Sequence, residues 1–159
     1  LCAKYRKGHF EGVLDVMGRL TNLVNPKKIF MGKKDYQQYF LIKNYLKNKY
    51  KTSIIPCKTI REKSKIALSS RNNHLDFNGI KKASFLSKSL IKLKRNLTNS
   101  KKIKQNLRIK IKYFEKLLKI KIEYLELRSI KNLKISNTVR GSRLFVAYYI
   151  DNVRFIDNF

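Results

Sequence analysis

Apolar positions recur along this chain at two different periods, and the change between them divides it. From Val13 to Val24 they fall at Val13, Val16, Met17, Leu20, Leu23 and Val24. Steps of three and four predict an amphipathic helix, which Pro26 closes. Lys28-Ile29-Phe30-Met31 predicts a short strand reaching Gly32. Asp35 stands where a helix N-cap is expected, followed by Tyr39, Ile42, Tyr45 and Leu46 at helical spacing. Thr52 to Cys57 predicts a second strand. Helix, strand, helix, strand is the alternation of an α/β unit with a parallel sheet.

Beyond about residue 61 the rhythm changes. A polar loop, 61–76, leads to two long amphipathic segments, 78–93 and 103–118, with the polar stretch 95–100 between them. The Lys-rich run from Lys101 to Lys121 keeps its apolar period and reads as the wet face of a helix. Three β-like stretches follow, 120–127, 144–150 and 153–156. Asp151-Asn152 lies between the last two, and both residue types tolerate positive φ, as a two-residue hairpin turn requires. Two helices and a three-stranded antiparallel sheet predict a small α+β domain after the α/β part.

Composition narrows the class. An apolar fraction of 43% over 159 residues is ordinary for a globular protein and argues against disorder. No apolar run approaches the length of a membrane span; the longest, 144–150, suits a buried strand. Cys2 and Cys57 are too few for a disulfide framework, which fits a reducing compartment. Neither has a Cys or His neighbour at metal-ligand spacing.

The net charge of +28 raises nucleic acid as a partner. The excess, however, is mostly lysine, 28 Lys to 10 Arg, and it accompanies 17 Ile and 14 Asn against 4 Ala. All three abundant types have A- and T-rich codons, so genomic base composition accounts for them together. Selection for phosphate binding would account for the lysines alone. They are also dispersed, without the aromatic pair of an RNA-binding sheet. The reading is a solvated basic surface, with no specific nucleic acid and no membrane as partner.

Candidate chemistry gathers at two places. Gly32-Lys33-Lys34-Asp35 is a strand-to-helix turn, where open α/β sheets bind ligands against free helix N–H groups. Glycine allows close approach and lysine supplies a point charge for phosphate, although the same four residues also make a surface turn. Gln37 and Gln38 follow, each able to aim an amide at a polar substrate or simply to face solvent. The second place is Leu68-Ser69-Ser70-Arg71-Asn72. Two hydroxyls beside a guanidinium can hold phosphate oxygens, and a polar loop with a capping serine is the alternative. His9 reads as structural, since no carboxylate partner is in view. There is no Ser-His-Asp arrangement and no Walker loop.

In this order and spacing the chain resembles the pantoate–β-alanine ligase (pantothenate synthetase) family along essentially its whole length. The matching residues are Arg6, Gly8-His9-Phe10 and Gly12-Val13, then Gly32, Lys34-Asp35 and Gln37-Gln38. Arg61-Glu62, Leu68-Ser69-Ser70-Arg71-Asn72, Tyr124-Leu125-Glu126-Leu127-Arg128 and Arg154-Phe155-Ile156-Asp157-Asn158 complete the series. The resemblance implies residues 1–60 as the C-terminal part of a Rossmann-like nucleotidyltransferase-type domain, and 61–159 as a small lid-like α+β domain. It implies use of ATP and Mg2+ to convert pantoate to pantoyl adenylate, which β-alanine then attacks. Gly32, Lys33, Lys34 and Asp35 would contact ATP, with Lys34 at its phosphates and Gln38 holding pantoate. The Ile60 backbone would meet adenine, and Leu68, Ser69, Ser70 and Arg71 would close over the nucleotide. Lys34 and Arg71 carry the expected catalytic roles. A cytoplasmic homodimer is implied as well. The family's His-x-Gly-His signature and first pantoate glutamine belong to an N-terminal half that these 159 residues do not contain. The chain alone is therefore expected to be inactive.

Five residues at four places depart from the family pattern. Lys33 stands where Glu or Gln is usual, and is expected to face solvent. Lys7 replaces proline, Ala3 a glycine, and Ser64-Lys65 an Asp-Gly turn, which predicts a differently shaped loop. Two rival readings remain: a basic nucleic-acid-binding module, and a non-catalytic remnant of the ligase.

Overall fold

A computed structural model of the chain describes residues 1–2, 5–47 and 49–159, in two compact units, Leu1–Thr59 and Ile60–Phe159. Ala3, where the resemblance expects glycine, lies outside the described residues. The architecture is α/β.

In the first unit, α1 (His9–Val24) is followed by β1 (Lys28–Gly32), a single 3-10 turn (Lys33–Asp35), α2 (Tyr36–Lys47) and β2 (Ser53–Cys57). β1 and β2 pair in parallel, with Ile29 opposite Ile54 and Gly32 opposite Cys57. Parallel strands need a crossover, and α2 supplies it. α1 begins four residues before the first periodic apolar position, because Gly8 takes φ 73 ahead of it and Phe10 adds a buried anchor. It ends at Asn25, whose left-handed backbone lets its N–H donate to the Thr21 carbonyl at 2.8 Å.

Close packing fixes α1 on α2. A Cβ added to Gly18 would meet the Tyr45 hydroxyl oxygen at 3.1 Å, so glycine is what admits that ring. The Tyr50 hydroxyl donates to the Gly18 carbonyl (3.2 Å) and the Thr52 hydroxyl to the Pro26 carbonyl (2.7 Å). Tyr36, Tyr39, Ile42 and Leu46 form the buried stripe of α2. The expected N-cap at Asp35 is corrected: helical backbone starts one turn earlier, at Lys33, with Gly32 in the capping position. Asp35 is left exposed in the first turn, where a carboxylate complements the positive end of the helix.

The second unit carries α3 (Phe77–Asn96), α4 (Ile103–Leu118), β3 (Lys121–Ser129), β4 (Ser142–Ile150) and β5 (Val153–Asn158). The strands form one antiparallel sheet in the order β3-β4-β5. Asp76 caps α3, accepting the Gly79 N–H at 2.6 Å. Ala83, Leu86 and Leu90 of α3 and Ile103, Leu107 and Phe114 of α4 join one core with Ile122, Leu125, Leu127, Leu144, Val146 and Ile150. The alternation along β3 breaks between Ile122 and Tyr124, where a bulge shifts the register by one residue. That shift puts Ile122 in phase with Leu125 and Leu127. Asp151 and Asn152 take φ 46 and 63, the paired left-handed residues of a type I′ hairpin. Tyr148 stacks on Phe155 across that hairpin, ring centroids 5.5 Å apart. Burial first, and the nearby Asp157 carboxylate second, hold the Tyr148 hydroxyl protonated well beyond the ordinary phenol range. β5 runs two residues past its predicted end because Asp157 and Asn158, though polar and buried, are both paired.

Candidate active site

The first cluster is built on the carboxyl end of β1. Gly32 is exposed, in an extended backbone (φ −67, ψ 131), and nothing lies within 4 Å of where its Cβ would be. The chain then turns at once into the 3-10 residues Lys33, Lys34 and Asp35 and on into α2. The peptide N–H groups that open a helix have no intrahelical acceptor, so this turn offers donors to an anion. Lys33 and Lys34 are both half-buried and both engaged in interactions. The expectation that Lys33 faces solvent is thereby corrected. Gln37 and Gln38 are half-buried, and the Gln37 amide oxygen is buried without a hydrogen-bond partner among the described residues. His9, at the start of α1, packs its ring on Phe10 with centroids 5.0 Å apart. Burial, then the charge of Arg6, lowers its pKa and favours the neutral imidazole.

The second cluster lies in the second unit. Residues 60–68 fold back on themselves: Leu68 N–H donates to the Ile60 carbonyl (3.0 Å), and Arg61 bridges Ala67. Lys65, at the turn, has φ 73, a left-handed conformation that suits glycine and strains a side chain. Ser64 nonetheless holds the turn, donating to Glu62 and accepting from the Ile66 N–H. The Ile60 side chain is 68% exposed, and Leu68, Ser70 and Arg71 are exposed around it. Ser69 caps a 3-10 turn over Ser70–His74, its hydroxyl accepting the Arg71 N–H at 3.3 Å. The Arg71 guanidinium donates to the Arg154 carbonyl of β5 at 2.9 Å. Ile60, Leu68, Ser69, Ser70 and Arg71 thus share one corner of this unit.

A sequence model of the family described as pantoate-beta-alanine ligase matches residues 1–159. The chain belongs to this family. The pantothenate synthetase of Campylobacter hominis is 36% identical over 159 residues, covering 96% of this chain and 56% of that protein. The chain thus spans little more than half the length of the curated relatives it matches. The solved pantothenate synthetase of Thermus thermophilus superposes with a TM-score of 0.83 at 29% identity, covering 100% of this chain and 58% of that one. The Francisella tularensis pantoate-beta-alanine ligase, solved with βγ-ATP and β-alanine, gives 0.78 at 35% identity, covering 100% and 53%.

Two members of the ligase pattern turn out to hold the second cluster in place. Asn72 is buried and donates to Glu62 (2.7 Å) and to the Ala67 carbonyl (3.2 Å), pinning the 60–68 fold to the Ser69–Arg71 segment. Arg61 makes a two-pronged pair with Asp157 at 2.7 and 2.8 Å, reaches the Asn158 carbonyl, and lies over the Phe159 ring. Removing one member of so enclosed a pair typically costs about 3–5 kcal/mol. Both were visible in the sequence only as matching letters. Their partners are 10 and 96 residues away, beyond the reach of local spacing.

Proposed function

We propose that this chain forms the nucleotide-handling part of an ATP-dependent acid–amine ligase. Pantoate would be activated as pantoyl adenylate with loss of pyrophosphate, and β-alanine would then displace AMP to give pantothenate. The observation that carries the reading is the family match along all 159 residues, supported by a 35%-identical relative solved with a nucleotide and β-alanine. Residues 1–60 are assigned as the C-terminal part of a Rossmann-like domain, where Gly32 admits the ATP phosphates and Lys34 meets them. Negative charge moves onto the pyrophosphate leaving group as the adenylate forms, so a fixed cation there acts mostly in the transition state. Gln38 orients pantoate. Residues 61–159 are assigned as a lid whose Leu68 to Arg71 close over the nucleotide, and the Ile60 backbone just before it meets adenine. No three His, Cys, Asp or Glu side chains converge among the described residues. Mg2+ would accompany the ATP phosphates, a hard-oxygen setting that suits it. A cytoplasmic homodimer completes the proposal. Among the described residues no helix is long and apolar enough to cross a membrane.

The test is a chimera in which the part of the Campylobacter hominis relative that this chain does not match precedes Leu1. Pantoate-dependent exchange of label between pyrophosphate and ATP is expected. Lys34→Ala should slow it by about 10²–10³, mainly in kcat. A folded chimera without exchange would mean a remnant that keeps the fold and has lost the chemistry. Exchange that tolerates Lys34→Ala would remove the role given to that lysine.

A further inference from the structure

α4 bears two apolar stripes. Ile103, Leu107 and Phe114 face the core. Ile109, Tyr113 and Leu117, four residues apart, run along another side and are 60%, 52% and 50% exposed. A helix that only covers a core needs one stripe, so the second is surplus to folding. It borders a groove whose other wall is α3. One section, of about 510 Å3, is lined by Phe85, Lys92, Leu93, Lys110, Tyr113 and Phe114 among others. A second, of about 300 Å3, continues past Leu93 and Lys110 to Ile109 and Ile103. The groove runs for about 16 Å along each helix, three turns at the α-helical rise.

Charge decides what can lie in it. α3 and α4 together hold eleven Lys and Arg and one acid, Glu115. That carboxylate is turned away to accept the Ile122 N–H at 2.9 Å. The groove itself is lined by apolar side chains, two lysines (Lys92 and Lys110) and neutral polar groups with no carboxylate, which is complementary to a helix with an apolar face and acidic flanks. A second copy of this chain would bring lysines onto lysines, since a two-fold contact repeats the same patch. A bilayer is flat and cannot fill a cleft between two helices. We propose that the α3–α4 groove docks an acidic amphipathic helix of a partner protein.

The probe is a fluorescein-labelled peptide of about 18 residues, with leucines at helical i, i+4, i+7 spacing and glutamates elsewhere, titrated with the 159-residue chain by anisotropy. A peptide of identical composition but alternating order is the control for net charge, and should bind about tenfold more weakly. Ile109→Ser with Tyr113→Ser should weaken the helical peptide about tenfold, and so should Lys92→Glu with Lys110→Glu. The apolar pair's effect should persist at about 0.3 M salt, where exposed charges are screened. All four residues are exposed or rim positions, and circular dichroism verifies the fold; Leu117→Ser replaces the apolar pair if it perturbs the helix. Equal binding of both peptides, or indifference to both double variants, overturns the proposal. So does phosphatidylserine-vesicle binding, RNA binding or self-association that the same apolar pair abolishes while peptide binding survives.

Discussion

Gly32 has an extended backbone that any residue adopts, and a side chain there would meet no protein atom. Folding makes no demand for glycine at this place; the proposed approach of the ATP phosphates would. In the chimera, Gly32→Ala should leave the melting temperature unchanged while raising the ATP KM about tenfold, roughly 1.4 kcal/mol of lost binding. An unchanged KM would take the nucleotide away from this turn. Lys65 is the opposite case, a side chain held at φ 73. A left-handed non-glycine residue costs about 1–2 kcal/mol, partly offset by the extra freedom glycine loses on folding. Lys65→Gly should therefore stabilise the chain by roughly 0.5–1 kcal/mol in urea titrations; a loss of stability would show the turn to be unstrained. The departure at Ser64-Lys65 was legible in the sequence. The hydroxyl that rescues the turn, Ser64 bonded at both ends, was not. Lys33 was misread for a related reason: adjacency in sequence says nothing of how deeply a side chain in so short a turn is buried.

Among the elements, those with a sustained period were readable: α1 to α4 and the five strands all lie where apolar spacing put them, to within a few residues. The type I′ turn was legible because Asp-Asn restricts the choices. The two 3-10 turns were not, being shorter than one repeat of any apolar pattern. Nor was the β3 bulge, which depends on what β4 offers opposite. That bulge has an electrostatic occupant. Glu123, between the two out-of-register residues, pays desolvation on burial, but Arg154 and the Tyr149 hydroxyl more than compensate, and its pKa is lowered overall. A carboxylate depressed in the folded state stabilises above its unfolded value, about 4.3, and that contribution disappears as pH falls through the lower folded value. The parent chain should lose stability on acidification across and below pH of about 4, and Glu123→Gln should flatten that limb. Parallel acid limbs in urea midpoints would mean that Glu123 contributes nothing.

Over the whole molecule, +28 charges are spread along two units and form no base-reading motif. RNA should accordingly bind without sequence preference, and affinity should fall about 10³-fold or more between 50 and 200 mM salt. A preference among oligonucleotides that survives about 200 mM salt would show that the charge was misjudged. The first unit also leaves Val16, Leu20, Leu23 and Val24, at helical spacing along one side of α1, and Phe30 of β1 at least half exposed. The chain contains nine tyrosines and no tryptophan, so its near-ultraviolet spectrum belongs to phenol rings. Tyr148, stacked on Phe155 beneath the hairpin, keeps its proton far into alkali. The colour change that phenols undergo on ionisation therefore arrives late for this ring, and its arrival reports the opening of the second unit's core.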